Sequence, residues 1–462
     1  RMYFTAKNRI IFHRKYSKWW QFLPFIMLFN WIIALYYIKI ILFSPKHWSE
    51  KLKLIKSFVK GLLDGLLNKS SMTVQRSARP RHYDVFDVLI ISRYNPWKHG
   101  GLERVVREQI HSFSDAGLRT AVIFRERFDR ETCQKNVYCY TIRDRLSIIS
   151  GALADIFYTI PIYILASKID TKIVLDNFEF PAVLHYLLKI LNKRKRCKMV
   201  KVHHGPPRYL STYSGLRGIA ARIYSLLYVP LYVLSARKVD LNIAISYKVK
   251  EELIRYYRIP PENIVVIYNG VDVSKFVPRD KLMARRKFGL PLDKKIILFI
   301  GGDPERKGLN EAIEIIRRLR AFIDVILMIV SSKVEVHYDW IKLYRYVPEH
   351  LLPLLYNAAD LFLLPSKYEG LPLTMIEALA SGCPAVISHT AADKKFHCKG
   401  YLIAHNLEEY LTYCRRLLEN RDYWLRMSIE GRTLAEREFD VVIQRRKYLE
   451  LITEMRLKNL DD

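Results

Sequence analysis

An α/β fold with parallel sheet is what this chain predicts, and three stretches predict it. Leu361–Ser388 reads LFLLPSKYEGLPLTMIEALASGCPAVIS. In it the apolar run Leu361–Leu364 is a short buried strand ended by Pro365-Ser366, and Thr374–Ala380 has helical composition. Gly382-Cys383-Pro384 stops that helix, and Ala385–Ser388 starts another strand. Strand, helix and strand in so few residues require a parallel crossover, with a ligand crevice at the strand carboxyl ends. The second stretch is Val88–Ser92 (VLIIS), a buried strand followed by Gly100-Gly101-Leu102-Glu103-Arg104-Val105, which opens a helix. The third is the strand Ile296–Ile300 with the loop GGDPERKG at residues 301–308. A chain of 462 residues has room for two or three domains of roughly 100–200 residues each.

Composition narrows the class. A hydrophobic content of 50% excludes a largely disordered chain. The six cysteines (Cys133, Cys139, Cys197, Cys383, Cys398, Cys414) form no C-x-x-C pair and no metal-type spacing, so they read as reduced thiols in a cytosolic setting. The net charge of +30 is uneven: residues 1–82 hold 16 Lys and Arg against 2 Asp and Glu. Within that basic segment Trp19–Phe43 (WWQFLPFIMLFNWIIALYYIKIILF) is apolar for longer than the roughly 20 residues that cross a bilayer. Trp19, Trp20, Tyr36 and Tyr37 stand towards its ends, where aromatic rings favour the interface. A spanning or deeply inserted helix is expected, with basic flanks on both sides that leave its orientation open. That segment is not read as a secretory signal, because a short apolar region with a small-residue cleavage site is missing. Residues 71–84, polar and basic, read as a linker after the membrane-associated segment 1–70.

The first domain, 85–275, continues with a strand at Ala121–Phe124 and others at Ile173–Asp176 and Met199–Val202. Leu146–Ala166 is nearly all apolar and is expected to pack on the sheet as a helix, since Asp155 and Pro161 interrupt it. His203-His204-Gly205 follows a strand end. Leu216–Lys238 is aromatic, apolar and basic, and two readings are open: an amphipathic surface that dips into a membrane, or a core helix with solvated arginines. Ile243–Ser246, Ile264–Tyr268 and the turn Asn269-Gly270-Val271-Asp272, whose Gly suits a positive φ, lead to the second domain, 276–440. Residues 441–462 are expected to return as a helix to the first.

The chemistry concentrates on two carboxylates. Glu369 sits in the loop above a strand end, and Glu377 inside the following helix can accept two hydrogen bonds from a vicinal diol. Backbone N–H groups around Gly370 and Leu371 suit a diphosphate. The run PS-x-x-EG-x-PL-x-x-x-EA-x-A-x-G-x-P resembles the E-x7-E signature of retaining glycosyltransferases of family 4, over about residues 85–450. That resemblance implies the GT-B fold, two Rossmann-like domains facing a central cleft. It implies that Glu369 contacts the donor sugar, Glu377 the nucleotide ribose, and Lys307 the donor diphosphate. Gly100 and Gly101 would line the cleft, and His204, which matches the motif better than His203, would lie close to the donor sugar. Two departures stand out. The family commonly has an Arg after the strand glycine where this chain has Gly302-Asp303, so Arg306 is expected to supply that charge. After Ser388 the family is glycine-rich, whereas here the sequence is HTAADKKFH. The first 70 residues, with AKNRIIFHRKYSKWW and VKGLLDGLLNK, resemble the C-terminal tail of membrane-attached family 2 glycosyltransferases, which together with Arg1 suggests a piece of a longer, fused protein.

The expected enzyme transfers a sugar, with retention, from a nucleotide-diphosphate donor such as a UDP- or GDP-sugar to a lipid-linked or polysaccharide acceptor at the cytosolic membrane face. No Asp-x-Asp motif occurs, so no metal or other cofactor is expected, and the leaving phosphate would take the acceptor's proton. A sugar-nucleotide epimerase and a non-catalytic membrane scaffold are the alternatives. A nucleic-acid binder is disfavoured, because much of the charge lies beside the apolar segment and no clustered aromatic-basic motif occurs.

Overall fold

Strands too apolar to face water on either side build both sheets, which is the pattern of parallel sheets covered by helices on both faces. The computed structural model describes residues 75–76, 85–98, 100–125, 136–142, 162, 165–166, 169–178, 197–396 and 400–458. Contacts group the chain into one unit of residues 1–75 with 141–148 and another of 76–140 with 149–462, and nearly every described residue belongs to the second. The expected membrane segment Trp19–Phe43 lies outside the described residues, as does most of Leu146–Ala166. Among the described residues no helix is long and apolar enough to cross a membrane.

The first sheet carries β1 (Phe86–Ile91), β2 (Thr120–Arg125), β3 (Val137–Ile142), β4 (Thr171–Asp176), β5 (Lys198–His203), β6 (Leu241–Ala244) and β7 (Ile264–Val266). Their order is β3-β2-β1-β4-β5-β6-β7. Pairing is parallel from β2 to β7, with Leu89 opposite Ala121 on one side and Val174 on the other. The second sheet carries β8 (Lys295–Ile300), β9 (Val325–Val330), β10 (Ile341–Tyr344), β11 (Leu361–Leu364), β12 (Ala385–Ser388) and β13 (Tyr401–Ala404) in the order β10-β9-β8-β11-β12-β13. It is parallel throughout. Both sheets reverse their winding between the first and fourth strands, the doubly wound arrangement that opens a crevice at the reversal.

Helices α1 (Gly101–Asp115), α2 (Gly215–Lys238) and α3 (Tyr247–Tyr257) belong to the first half. The second half holds α4 (Lys281–Lys287), α5 (Pro304–Lys307), α6 (Leu309–Leu319), α7 (Leu352–Ala358), α8 (Leu373–Ala380), α9 (Leu407–Glu419) and α10 (Arg421–Glu438). On α2, Ile219, Leu226 and Leu234 are exposed while Tyr228, Tyr232 and Ala236 are buried, so the segment is both a core helix and an apolar surface. The last helix, α11 (Val441–Lys458), packs on α1: Ser112 donates to the Arg445 carbonyl at 2.7 Å, and Arg445 pairs with Glu108.

Gly270 differs from its sequence expectation. Its φ lies outside the left-handed region; its role is close approach, since a Cβ there would stand 2.5 Å from the Cα of Val441. Residues 269–271 thus dock onto the chain returning at α11, with Val271 N–H donating to the Phe439 carbonyl at 2.8 Å.

Candidate active site

The loops that leave β8 and β11 flank the reversal of the second sheet, and a single glycine lets them touch. Gly308, with φ +76°, ends α5, and a Cβ on it would lie 2.0 Å from the carbonyl oxygen of Pro365. With that contact made, Lys307 Nζ stands 2.8 Å and Arg306 Nη1 3.0 Å from Glu369 Oε1. Ser366 Oγ donates to the same oxygen at 2.9 Å. Arg306 also donates to the Tyr368 carbonyl at 2.8 Å and lies 3.5 Å from Asp303. Glu369 is 7% exposed. Burial pushes its pKa up, but Lys307 and Arg306 outweigh it and hold the carboxyl at about 2. Lys307 and Arg306, held here by Glu369 and Asp303, are two cations that an incoming diphosphate can engage in their place.

Glu377 is buried on α8, and both of its oxygens have partners. Tyr356 Oη donates to Oε2 at 2.7 Å, and Arg104 donates to Oε1. Arg104 also approaches Glu349 at 3.4 Å, and Glu349 pairs with Arg107 at 2.9 Å. Arg104 and Arg107 come from α1, so this cluster ties the first sheet's leading helix to α8 of the second half. Gly101 belongs to the same junction: a Cβ on it would stand 3.5 Å from Leu373, the first residue of α8. Gly100 caps α1. Gly370 and Leu371 form the turn just before Pro372, the N-cap of α8. Arg104 is the residue sequence reasoning passed over. The motif around Gly101 contained it, yet nothing nearby reveals a partner 273 positions away.

His203, which ends β5, and His204, which follows it, have different tasks. His203 is 1% exposed, with Nδ1 on Tyr232 Oη and Nε2 on Asn242 Oδ1 at 2.8 Å, which fixes it inside the first domain. His204 Nε2 lies 3.0 Å from Asn177 Oδ1, and Asn177 is held by a reciprocal amide pair with Gln109. Burial lowers both imidazoles, His203 to about 3 and His204 to about 4, so both are neutral at pH 7. The backbone of His204 abuts the turn of Glu369: a Cβ on Gly370 would lie 2.2 Å from the His204 carbonyl oxygen. Glu369, Lys307, Arg306, Gly370 and His204 therefore share one locality, with Gly101, Arg104 and Glu377 at the opposite end of the short turn into α8. Among the described residues no group of three or more His, Cys, Asp or Glu could hold a metal ion.

Two family models match in tandem, Glycosyltransferase Family 4 over residues 99–275 and Glycosyl transferases group 1 over 280–433. Curated relatives include an uncharacterized glycosyltransferase of Methanocaldococcus jannaschii, 29% identical over 32% of this chain and 41% of its own length. A D-inositol 3-phosphate glycosyltransferase of Thermobispora bispora is 28% identical over 37% of this chain and 46% of its own. The matched part of the chain thus spans less than half the length of these relatives. Among solved structures, sucrose-phosphate synthase from Thermosynechococcus elongatus matches 81% of this chain and 100% of its own at a TM-score of 0.67 and 16% identity. Anabaena HepE, in complex with UDP and glucose, matches 80% and 99% at a TM-score of 0.63 and 16% identity. At such identity these two show the fold, GT-B.

Proposed function

This chain belongs to glycosyltransferase family 4 with the GT-B fold, and we propose that it transfers a sugar with retained configuration from a nucleotide-diphosphate sugar to a lipid-linked glycan. The observation that carries this is the Glu369–Lys307–Arg306 cluster at the reversal of the second sheet. In the proposed reaction Lys307 and Arg306 turn from Glu369 to the departing diphosphate and offset its growing charge. Glu369, ionised throughout, accepts hydrogen bonds from donor-sugar hydroxyls, and Glu377 accepts those of the ribose. Neutral His204 holds a hydroxyl of the sugar through its ring. The leaving phosphate accepts the acceptor's proton, and no metal is needed where two side-chain cations serve the diphosphate. HepE, whose solved complex holds UDP and glucose, supports a donor of this chemical class.

The lipid-linked acceptor and the membrane face are supported by the basic, apolar sequence of residues 1–70 and by the exposed Ile219, Leu226 and Leu234 of α2 beside exposed Arg222 and Arg237. Basic and apolar groups together favour an anionic bilayer surface. Relatives that include a putative colanic acid biosynthesis glycosyltransferase of Salmonella typhimurium agree with a glycan product. The test is a donor screen on detergent-solubilised full chain, reading UDP or GDP release with and without a membrane lipid extract and a chelator. Release that needs the extract and survives the chelator is expected. Extract-independent conversion of one nucleotide sugar into another would instead identify an epimerase.

A further inference from the structure

The turn that carries Glu369 is held at its two ends by different halves of the molecule. At its start, the Ser366 carbonyl accepts from Ser388 Oγ at 2.5 Å and Thr390 Oγ1 at 2.6 Å, both from the second sheet's own chain. At its end, the carbonyls of Glu369 and Gly370 accept from the first domain. Lys248 Nζ donates to the Glu369 carbonyl at 2.5 Å and also to that of Thr390. Ser246 Oγ donates to the Gly370 carbonyl at 2.8 Å while accepting from Val249 N–H as the N-cap of α3. The Lys248 ammonium lies 4.5 Å from the centre of the Tyr368 ring, and Tyr368 Oη donates to Glu252 at 2.6 Å. A cation on two carbonyls and one aromatic face is a strong anchor in a half-buried place.

We propose that Lys248, with Ser246, is a positioning residue that fixes the Glu369–Gly370 peptide from the acceptor domain, so that the donor-side carboxylate takes its working place only when the two domains are together. The inference rests on the transferase reading above. Closure would then do two things at once: it seats His204 against Gly370, and it aligns Glu369 with Lys307 and Arg306. A substrate that closes the cleft thereby completes its own catalytic turn, and an open cleft leaves Glu369 less able to promote wasteful donor hydrolysis.

The test compares Lys248→Met, which keeps the stem over Tyr368 but removes the donor, with Lys248→Arg, both in the full chain. With whichever UDP- or GDP-hexose the native protein uses, Lys248→Met is expected to lower kcat by about 100-fold, the cost of misplacing a catalytic group by roughly 1 Å. UDP or GDP affinity by calorimetry should fall by much less than kcat, since Lys248 itself contacts the Glu369 and Thr390 carbonyls and neither Lys307 nor Arg306. Lys248→Arg should recover a good part of the loss. An unchanged kcat in Lys248→Met, or a fall in kcat matched by equal losses of nucleotide affinity and melting temperature, would overturn the proposal. If the native protein releases nucleotide from no donor, the transferase reading fails, and hydrogen exchange decides instead. Faster exchange at the amides of residues 369–371 in Lys248→Met supports the positioning role, and native-like exchange there rejects it.

Discussion

Glu369 illustrates how two neighbours reverse the effect of burial on a single side chain. Burial alone pushes its carboxyl towards the neutral form, but Lys307 at 2.8 Å and Arg306 at 3.0 Å outweigh that and keep it charged. Glu369→Gln and Lys307→Ala are each expected to lower nucleotide release by about 10²–10³-fold, as loss of a preorganised charge does, with the fold retained but the melting temperature lowered by the broken buried pair. Near-native turnover in both variants would remove these residues from the site. Arg104 makes a separate case. Arg104→Met strands Glu377 without its cation, and breaking a buried pair from one side costs about 3 kcal/mol. In a denaturation cycle with Glu377→Gln, the double variant should lose less than the sum of the single losses, because the stranded charge is gone. Glu369, Glu377, Lys307 and His204 were candidates from their motifs, and the structure places them around the turn into α8. Arg104 and Lys248 were not candidates, because their partners lie 273 and 121 positions away.

At the scale of elements, the punctuation of the chain was the readable part. Leu361–Leu364 and Ala385–Ser388 are strands at the positions their apolar runs specify, since four apolar residues between breakers leave few alternatives. The role of Gly270 was not readable, for a turn glycine and a packing glycine look alike until the opposing backbone is known. Gly308 combines both demands, a positive φ and the carbonyl of Pro365 where a Cβ would stand. Gly308→Ala should therefore destabilise the chain by at least about 2 kcal/mol, from left-handed strain and displaced backbone. It should also lower nucleotide affinity by separating Lys307 from Glu369. Denaturant titration and calorimetry check the two effects, and an unchanged midpoint would show that the loops can part without cost.

Across the molecule, histidine burial sets the acid side of stability. The folded pKa values of about 3 for His203 and about 4 for His204 lie below the ordinary 6.5. Between those values the unfolded chain binds more protons, so stability rises with pH and is lost as pH falls from 6.5 towards 4. His203→Gln should flatten that dependence by up to about 1.4 kcal/mol per pH unit in this window, with no change of slope above pH 7.5. Glu369 acts lower: its folded value of about 2 against 4.5 gives stability that is present above 4.5 and lost as pH falls through about 2. Chemical denaturation from pH 5.5 to 8 reads the histidines alone, because over that span Glu369 is ionised in both the folded and the unfolded chain.

Local order and local chemistry were set by the sequence alone: which runs are strands, where helices stop, and which acidic and basic residues occupy strand-end loops. Those properties depend on side-chain period, backbone φ limits and spacing within a few residues. The tertiary structure decided how the cations share Glu369, how Arg104 reaches Glu377, and how Ser246 and Lys248 hold the turn from across the cleft. Each is a meeting of side chains brought together by the winding of two sheets, and no local pattern encodes a distance that only packing creates.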